Sequence, residues 1–276
     1  MATDRNPPVR LVACDLDGTL LRRDRSISDR TAAAVAAAES VGVIVVLVTA
    51  RPPRYVQEVA AALSCHPVVV CSNGALIWEI GSPHLLAEHL IPATVGTEAV
   101  RRLRDQLPGA VFSVEMGLRR YGCEAEYVGE WPRPEGALIA SAEELVNTQV
   151  VKICVRHGRT DPWDALDRVS QMLRGLVEVT RSGPTAPIEL LAVGVSKALG
   201  VTFVAERLGI QAHDALAVGD MPNDLPMLRW AGRSAAPANA HAEVLRAVDR
   251  VVGDCDADGV ADLLDEVTRY ATEERS

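Results

Sequence analysis

The sequence is poor in rings. Two Phe, four Trp and four Tyr make up 4% of its 276 residues, so a core drawn from the 48% of hydrophobic residues must be aliphatic. Lysine is scarcer still: Lys152 and Lys197 are the only two among 28 basic residues. Acidic residues number 37, and the resulting net charge of -9 disfavours nucleic acid and anionic membranes as default partners. No run approaches the ~20 apolar residues of a membrane-spanning helix, which gives the expectation of a cytoplasmic protein. The cysteines (Cys14, Cys65, Cys71, Cys123, Cys154 and Cys255) form no CxxC pair, and several interrupt apolar runs such as LVACDLDG and VVVCSNG. They read as buried free thiols of a reducing compartment. GxGxxG and GxxxxGK[ST] are absent, which removes support for a dinucleotide or P-loop site. The histidines are scattered without an HExxH, and no serine sits in GxSxG, which argues against a zinc hydrolase and an α/β-hydrolase triad.

What is present is a recurring alternation. Continuous apolar strands at 9–14, 43–48 and 68–71 alternate with helices at 29–41 and near 55–64. That pattern predicts a parallel sheet covered on both faces. Between about Gly81 and Pro187 it changes. Helices are expected at 95–107 and 162–174, and strands at 111–115, 123–128, 150–155, 176–180 and 186–191. These strands carry more charge and partly alternate, and EWPRPEG at 130–136 is a turn-rich loop. The first pattern returns near Val195, with a helix at 196–208, a strand at 214–218, a helix at 224–230, a short strand at 249–252 and a closing helix at 260–271. The expectation is an α/β core formed by 1–84 and 187–276, split by an inserted mixed α/β domain at 85–186.

Polar groups collect where the core strands end. Asp15-Leu16-Asp17-Gly18-Thr19 follows the first strand, and Gly219-Asp220-Met221-Pro222-Asn223-Asp224 follows the strand at 214–218. Ligand sites of open α/β sheets lie outside these carboxyl ends. Two acidic groups there suit a hard cation with oxygen ligands, magnesium above all. Thr49-Ala50-Arg51 and Ser72-Asn73-Gly74 also follow strands, and Thr49 offers a hydroxyl and a backbone N–H to an oxyanion. Lys197 opens a helix, the end that the helix dipole disfavours for a cation, which suggests that it holds an anion. Asp254, Asp256 and Asp258 match the first half of a calcium loop, with Asp265 at its twelfth position. A strand rather than a helix precedes them, so they read as a solvated connector.

The order DLDGTL, Thr49, Lys197, GDMPND resembles the haloacid-dehalogenase superfamily of phosphohydrolases. SNGA at 72–75, the late insertion and the closing DGVADLL are similar to its Cof-type subfamily. The resemblance spans nearly the whole chain. It implies a Rossmann-like core with an inserted α/β cap that chooses the substrate. It further implies that Asp15 is the nucleophile and forms an aspartyl phosphate, and that Asp17 is the general acid and base. Thr49 would bind phosphoryl oxygens, and Lys197 would neutralise charge. Asp15, the backbone carbonyl of Asp17 and Asp220 would hold Mg2+, with Asp224 supporting them. Ala50, Arg51, Asn73, Gly74 and Asn223 would lie near the substrate, Arg51 as a phosphate contact or as a structural arginine. Arg119, Arg120, Tyr121, Glu124, Trp131 and Arg133 are the cap candidates. SAAPANAHAE at 234–243 departs from the family's usual turn. The expected reaction is hydrolysis of a small phosphorylated metabolite, sugar phosphates leading, by a monomer or homodimer. Phosphotransfer through the same intermediate, or non-catalytic binding of a phosphometabolite, are the alternatives.

Overall fold

A computed structural model describes residues 8–63, 65–158 and 162–273. Leu11–Cys14 (β1) is buried along its whole length and leads through α1 (Asp29–Ser40) to β2 (Ile44–Leu47). The Ser28 side chain starts α1 by accepting from the Thr31 amide. Then follow α2 (Gln57–Ala61), β3 (Val68–Cys71), β4 (Leu76–Glu79) and β5 (Leu85–Glu88). The middle of the chain supplies α3 (Ala93–Gln106), β6 (Val111–Met116), β7 (Arg120–Cys123), β8 (Leu138–Ile139), α4 (Ala142–Leu145), β9 (Lys152–Arg156), α5 (Pro162–Met172), β10 (Glu178–Thr180) and β11 (Ile188–Leu191). The last part supplies α6 (Lys197–Leu208), β12 (Ala215–Val218), α7 (Leu225–Trp230), β13 (Arg233–Pro237), α8 (Ala242–Leu245), β14 (Arg250–Val252) and α9 (Gly259–Glu273).

The first sheet has the order β14-β13-β12-β1-β2, with every pair parallel. Alternate residues of its strands face opposite helix layers. Val12, Val45 and Leu216 pack with α1 and α9, while Ala13, Val46 and Ala217 pack with α6 and α7. This two-sided burial is why these strands are apolar at every position. A parallel bridge, Val48 with Val70, carries the sheet on to the antiparallel β3-β4-β5 unit.

The second sheet, β10-β11-β9-β6-β7-β8, is antiparallel except for β7–β8. One face (Phe112, Val114, Ile153, Val155 and Leu190) packs on α3, α4 and α5. The residues of opposite parity, among them Ser113, Glu115, Lys152, Cys154 and Glu189, form the other face and line a cavity against the first sheet.

The domain cuts expected at 84/85 and 186/187 fall within sheets. Leu85–Glu88 pairs with β4 on the core side, and Ile188–Leu191 pairs with β9 and β10 in the second sheet. The crossings therefore lie between Glu88 and Ala93 and between Leu191 and Lys197. Apolar pattern reports that a strand is buried but not which sheet receives it. The strand expected at 123–128 is β7, shifted to Arg120–Cys123, because Glu124 turns inward to accept from the Phe112 and Ala142 amides. The stretch read as a departing turn at 234–243 contains most of β13, with Pro237 at the strand's end, where a missing amide costs least.

Candidate active site

The carboxyl ends of β1 and β12 are adjacent, and the loops after them diverge at the point where strand order reverses. Asp15 follows β1 and is nearly buried, its amide donating to the Val218 carbonyl at 2.9 Å. Lys197, the first residue of α6, reaches across with Nζ 2.5 Å from Asp15 Oδ1 and 2.5 Å from Asp224 Oδ1. Asp224 Oδ2 accepts from the amides of Asp220 (3.0 Å) and Met221 (2.9 Å), which fixes the loop after β12. Asp220 Oδ1 accepts from the Thr19 hydroxyl at 3.1 Å. Gly18 lets the chain fold back over this group. Its φ is +78°, and a Cβ there would stand 2.6 Å from Asp220 Oδ2.

Asp15, Asp220 and Asp224 offer carboxylate oxygens within 4.8 Å of one another. One lysine does not balance three buried acids. Burial, reinforced by the Asp224 and Asp17 charges and opposed by Lys197, pushes the Asp15 carboxyl up to about 7. Burial together with Asp15 and Asp224 pushes Asp220 up to about 9. Burial works against the charge on Lys197, but Asp15 and Asp224 more than offset it and hold the ammonium above its usual range. A surplus of buried carboxylate oxygen is the donor set of a hard divalent cation. Asp224 has both oxygens engaged within the protein, whereas Asp15 and Asp220 each engage one. That division fits Asp15 and Asp220 as direct ligands and Asp224 as their support.

A pH dependence of stability follows. Asp15 and Asp220 bind protons more tightly folded than unfolded, so between pH 4 and 9 the folded state carries the extra protons. Metal-free protein is therefore expected to lose stability as pH rises through this window, and saturating magnesium to flatten the loss. Melting curves at pH 5, 7 and 9 with chelator and with magnesium check this; a metal-free stability that rises toward pH 9 contradicts it.

Thr49 is buried after β2. Its backbone N–H is not free for an oxyanion, as the sequence suggested, because it donates to the Val70 carbonyl at 2.8 Å and continues the sheet. Its hydroxyl accepts from the Arg51 amide at 3.1 Å and keeps its own proton to donate. Arg51 lines the cavity. Its guanidinium clasps the Asp17 carboxylate (Nε–Oδ2 2.7 Å, Nη2–Oδ1 2.5 Å) and donates to the Tyr55 carbonyl at 3.2 Å. The Asp17 carboxylate, 40% exposed, stands outside the acidic triplet; the expectation placed its backbone carbonyl, not its side chain, at the ion.

Asn73 and Gly74 do not line the cavity as expected of substrate contacts. Asn73 holds a left-handed backbone (φ 56°), and its Oδ1 accepts from Asn223 Nδ2 at 2.9 Å. Gly74, at φ +97°, passes so close to α6 that a Cβ would meet the Ser196 carbonyl at 2.1 Å. Both brace the site from behind. Asp15, Asp17, Thr49, Ala50, Arg51, Lys197, Asp220 and Asn223 all reach the cavity, whose volume is about 560 Å³.

This arrangement, acids on β1 and β12 joined by the α6 lysine beneath an inserted sheet, coincides with a family match. The model of the haloacid dehalogenase-like hydrolases aligns with residues 12–264. The chain belongs to that family. It is a phosphohydrolase of the Cof type. A phosphoglycolate phosphatase of Natronomonas pharaonis is 30% identical over 273 residues, covering 92% of this chain and 96% of that one. A 5-amino-6-(5-phospho-D-ribitylamino)uracil phosphatase of Bacillus subtilis is 29% identical over 255 residues, covering 92% and 93%. Among solved structures, a haloalkanoate-superfamily phosphatase from Bacteroides thetaiotaomicron superposes with a TM-score of 0.80 at 21% identity, over 96% of this chain and 99% of its own.

In this haloacid dehalogenase-like hydrolase the inserted sheet forms the cavity roof. Of the cap candidates, Tyr121 and Trp131 line it. Trp131 stacks on Tyr55 with centroids 4.7 Å apart, and the Arg25 and Arg51 guanidinium groups lie 4.0 and 4.8 Å from its ring centre. Glu124 is structural, tied to Arg104 and two amides, and Arg119, Arg120 and Arg133 do not reach the cavity. Lys152, Glu189 and Glu115 were missed. The signal for them is parity: each sits in a strand on the positions opposite to its apolar residues.

The acids at 254–258 are a partly exposed connector that is also held by ion pairs. Arg23 clasps Asp254 and Asp256, while Arg22 and Ser28 bond Asp258. Arg30 takes Asp265 at 3.0 Å. The acids thus anchor the segment that follows Asp17, and arginines already supply their counter-charge. Among the described residues no helix is long and apolar enough to cross a membrane.

Proposed function

We propose that this phosphohydrolase cleaves phosphomonoesters of small hydroxylated metabolites with magnesium as its cofactor, through an aspartyl phosphate on Asp15. The observation that carries the reading is the convergence of Asp15, Lys197 and Asp220 on the floor of one cavity. Asp15 attacks phosphorus, the phosphorus–oxygen bond to the alcohol breaks, and a proton from Asp17 leaves with the alkoxide oxygen. Asp17 then takes a proton from the water that cleaves the aspartyl phosphate. The Arg51 clasp fixes the Asp17 side chain at the cavity wall. Lys197 favours the ionised form of Asp15 and stabilises charge on the transferring group, and the Thr49 hydroxyl donates to a phosphoryl oxygen. Asp15, Asp220 and the Asp17 carbonyl would hold magnesium, with Asp224 orienting them; when bound, the ion offsets repulsion between carboxylate and phosphate.

Ser113, Glu115, Tyr121 and Tyr127 line the roof side of the cavity, a hydroxyl-bearing and acidic wall suited to a polyol or sugar leaving group. The relatives named for phosphoglycolate and ribitylaminouracil phosphate also act on small polar phosphomonoesters. The test is phosphate release from a panel of phosphorylated sugars, polyols, hydroxy acids and cofactors, with and without magnesium. Silence across the panel with magnesium present would sink the reading. Exhaustively chelated enzyme is expected to be inactive and to recover with magnesium but not with calcium; restoration by calcium that depends on Asp254 and Asp256 would contradict the assignment.

A further inference from the structure

We propose that Lys152 and Glu189, a buried ion pair carried by the inserted sheet, are positioning residues that set the phosphoryl-binding loops in place only when that sheet is closed over them. Both side chains are almost fully enclosed, and each reaches out of its own sheet into the core. Lys152 Nζ bonds Glu189 and donates to the Ala50 carbonyl at 2.9 Å. The same peptide unit carries the Arg51 N–H, which donates to the Thr49 hydroxyl. Lys152 therefore holds the plane of the Ala50–Arg51 peptide, and that peptide turns the Thr49 hydroxyl so that its proton is free for a phosphoryl oxygen.

Glu189 works on the neighbouring loop, the one after β3. Its Oε2 accepts from Asn73 Nδ2 at 2.9 Å, and Asn73 Oδ1 accepts from Asn223 Nδ2. Asn223 lies on the loop that carries Asp220 and Asp224, and its Oδ1 is buried without a hydrogen-bond partner. The Asn73 backbone is left-handed, a conformation a non-glycine residue keeps only where its surroundings hold it. One ion pair thus grips the loops after β2 and β3 directly, at residues 102 and 116 positions away in sequence, and reaches the loop after β12 through Asn73 and Asn223. Next to it, Glu115 is the cross-strand neighbour of Lys152 and takes a two-pronged bond from Arg54 of the core, at 2.5 and 2.6 Å. An open cap would leave the pair's two charges facing solvent and both loops without their braces. Closure and assembly of the phosphoryl site are then one event.

The inference rests on the phosphatase reading of this site, and the test separates the two. Removing one partner strands a buried charge, so the informative variant is the double replacement Lys152→Met with Glu189→Met. Apolar replacement of a whole buried pair is often neutral or stabilising. The double variant is expected to fold with a melting temperature at or above wild type. Its kcat is expected to fall by about 10- to 100-fold, the scale of a displaced catalytic geometry, and its inhibition constant for inorganic phosphate to rise by about 10-fold, corresponding to one weakened phosphoryl contact. Small-angle scattering should show it more open than wild type without ligand. Arg101→Met breaks only the exposed Arg101–Glu98 and Arg101–Asp105 pairs within α3 and should leave kcat, phosphate inhibition and scattering unchanged. A folded double variant with wild-type kinetics and wild-type scattering overturns the proposal, as does an equal loss in Arg101→Met. If wild type hydrolyses nothing, the phosphatase reading falls; the scattering comparison and phosphate binding by calorimetry still decide the pair's role.

Discussion

Asp15→Asn is expected to leave a well-folded protein whose turnover is lower by about 10⁴-fold or more, the scale seen when a covalent nucleophile is removed. The amide is nearly isosteric and still offers Lys197 an acceptor in place of Oδ1. It cannot form the acyl phosphate. The fold should gain rather than lose stability near neutral pH. Asp15 is one of three buried acids sharing one lysine, and burial already raises its proton affinity to about 7. Removing its charge relieves Asp224 and Asp220. Steady-state kinetics, thermal melts and trapping of labelled phosphate on intact protein check the three parts. Near-wild-type turnover in a preparation free of wild-type enzyme would remove Asp15 from its role.

The second large effect is expected at the lysine. Lys197→Met removes the cation that bonds both Asp15 and Asp224 and leaves the acidic triplet without an internal counter-charge. Turnover is expected to fall by about 10²- to 10³-fold, the usual cost of losing one preorganised electrostatic contact to the transition state. Stability should also fall, by about 3–5 kcal/mol where the carboxylates are ionised. The loss has a defined sign with pH. Below about 7 Asp15 takes up a proton, and Asp220 does so already below about 9, so the unpaired charge diminishes. Metal-free Lys197→Met should therefore approach wild type near pH 5 and diverge from it toward pH 9. A stability difference independent of pH would show that the lysine packs but does not pair.

The roles of these residues rest on patterns that differ in how far they reach along the chain. β1, β2, β3 and β12 were legible because burial on both sheet faces demands unbroken apolar runs, and the acids that end those runs stand out against them. β5 and β11 were also apolar, yet each was assigned to the wrong side of the domain cut. Their pairing partners, β4 in one case and β9 and β10 in the other, are chosen by the fold of distant segments. β8 and α4 were not foreseen; at two and four residues they are too short to carry a period. The anchoring of Asp254, Asp256 and Asp258 was invisible for a related reason. Arg22 and Arg23 lie more than 230 residues earlier, and no local rule pairs them.

The sequence by itself determined which groups meet at the candidate site: two acidic clusters, a threonine and one of only two lysines, each directly after a buried strand or at a helix start. Those assignments depend on local chemistry, which a strand end and its next few residues carry with them. Tertiary structure decided which of their atoms remain available. It committed the Thr49 amide to the sheet, gave both Asp224 oxygens to neighbours and put Asp17 in the grip of Arg51. It also brought Lys152 and Glu189 from the inserted sheet onto the loops of the core. A hydrogen bond needs its partners within about 3 Å, and for groups separated by a hundred residues or more that proximity is a property of the packed chain, with no counterpart in the order of its residues.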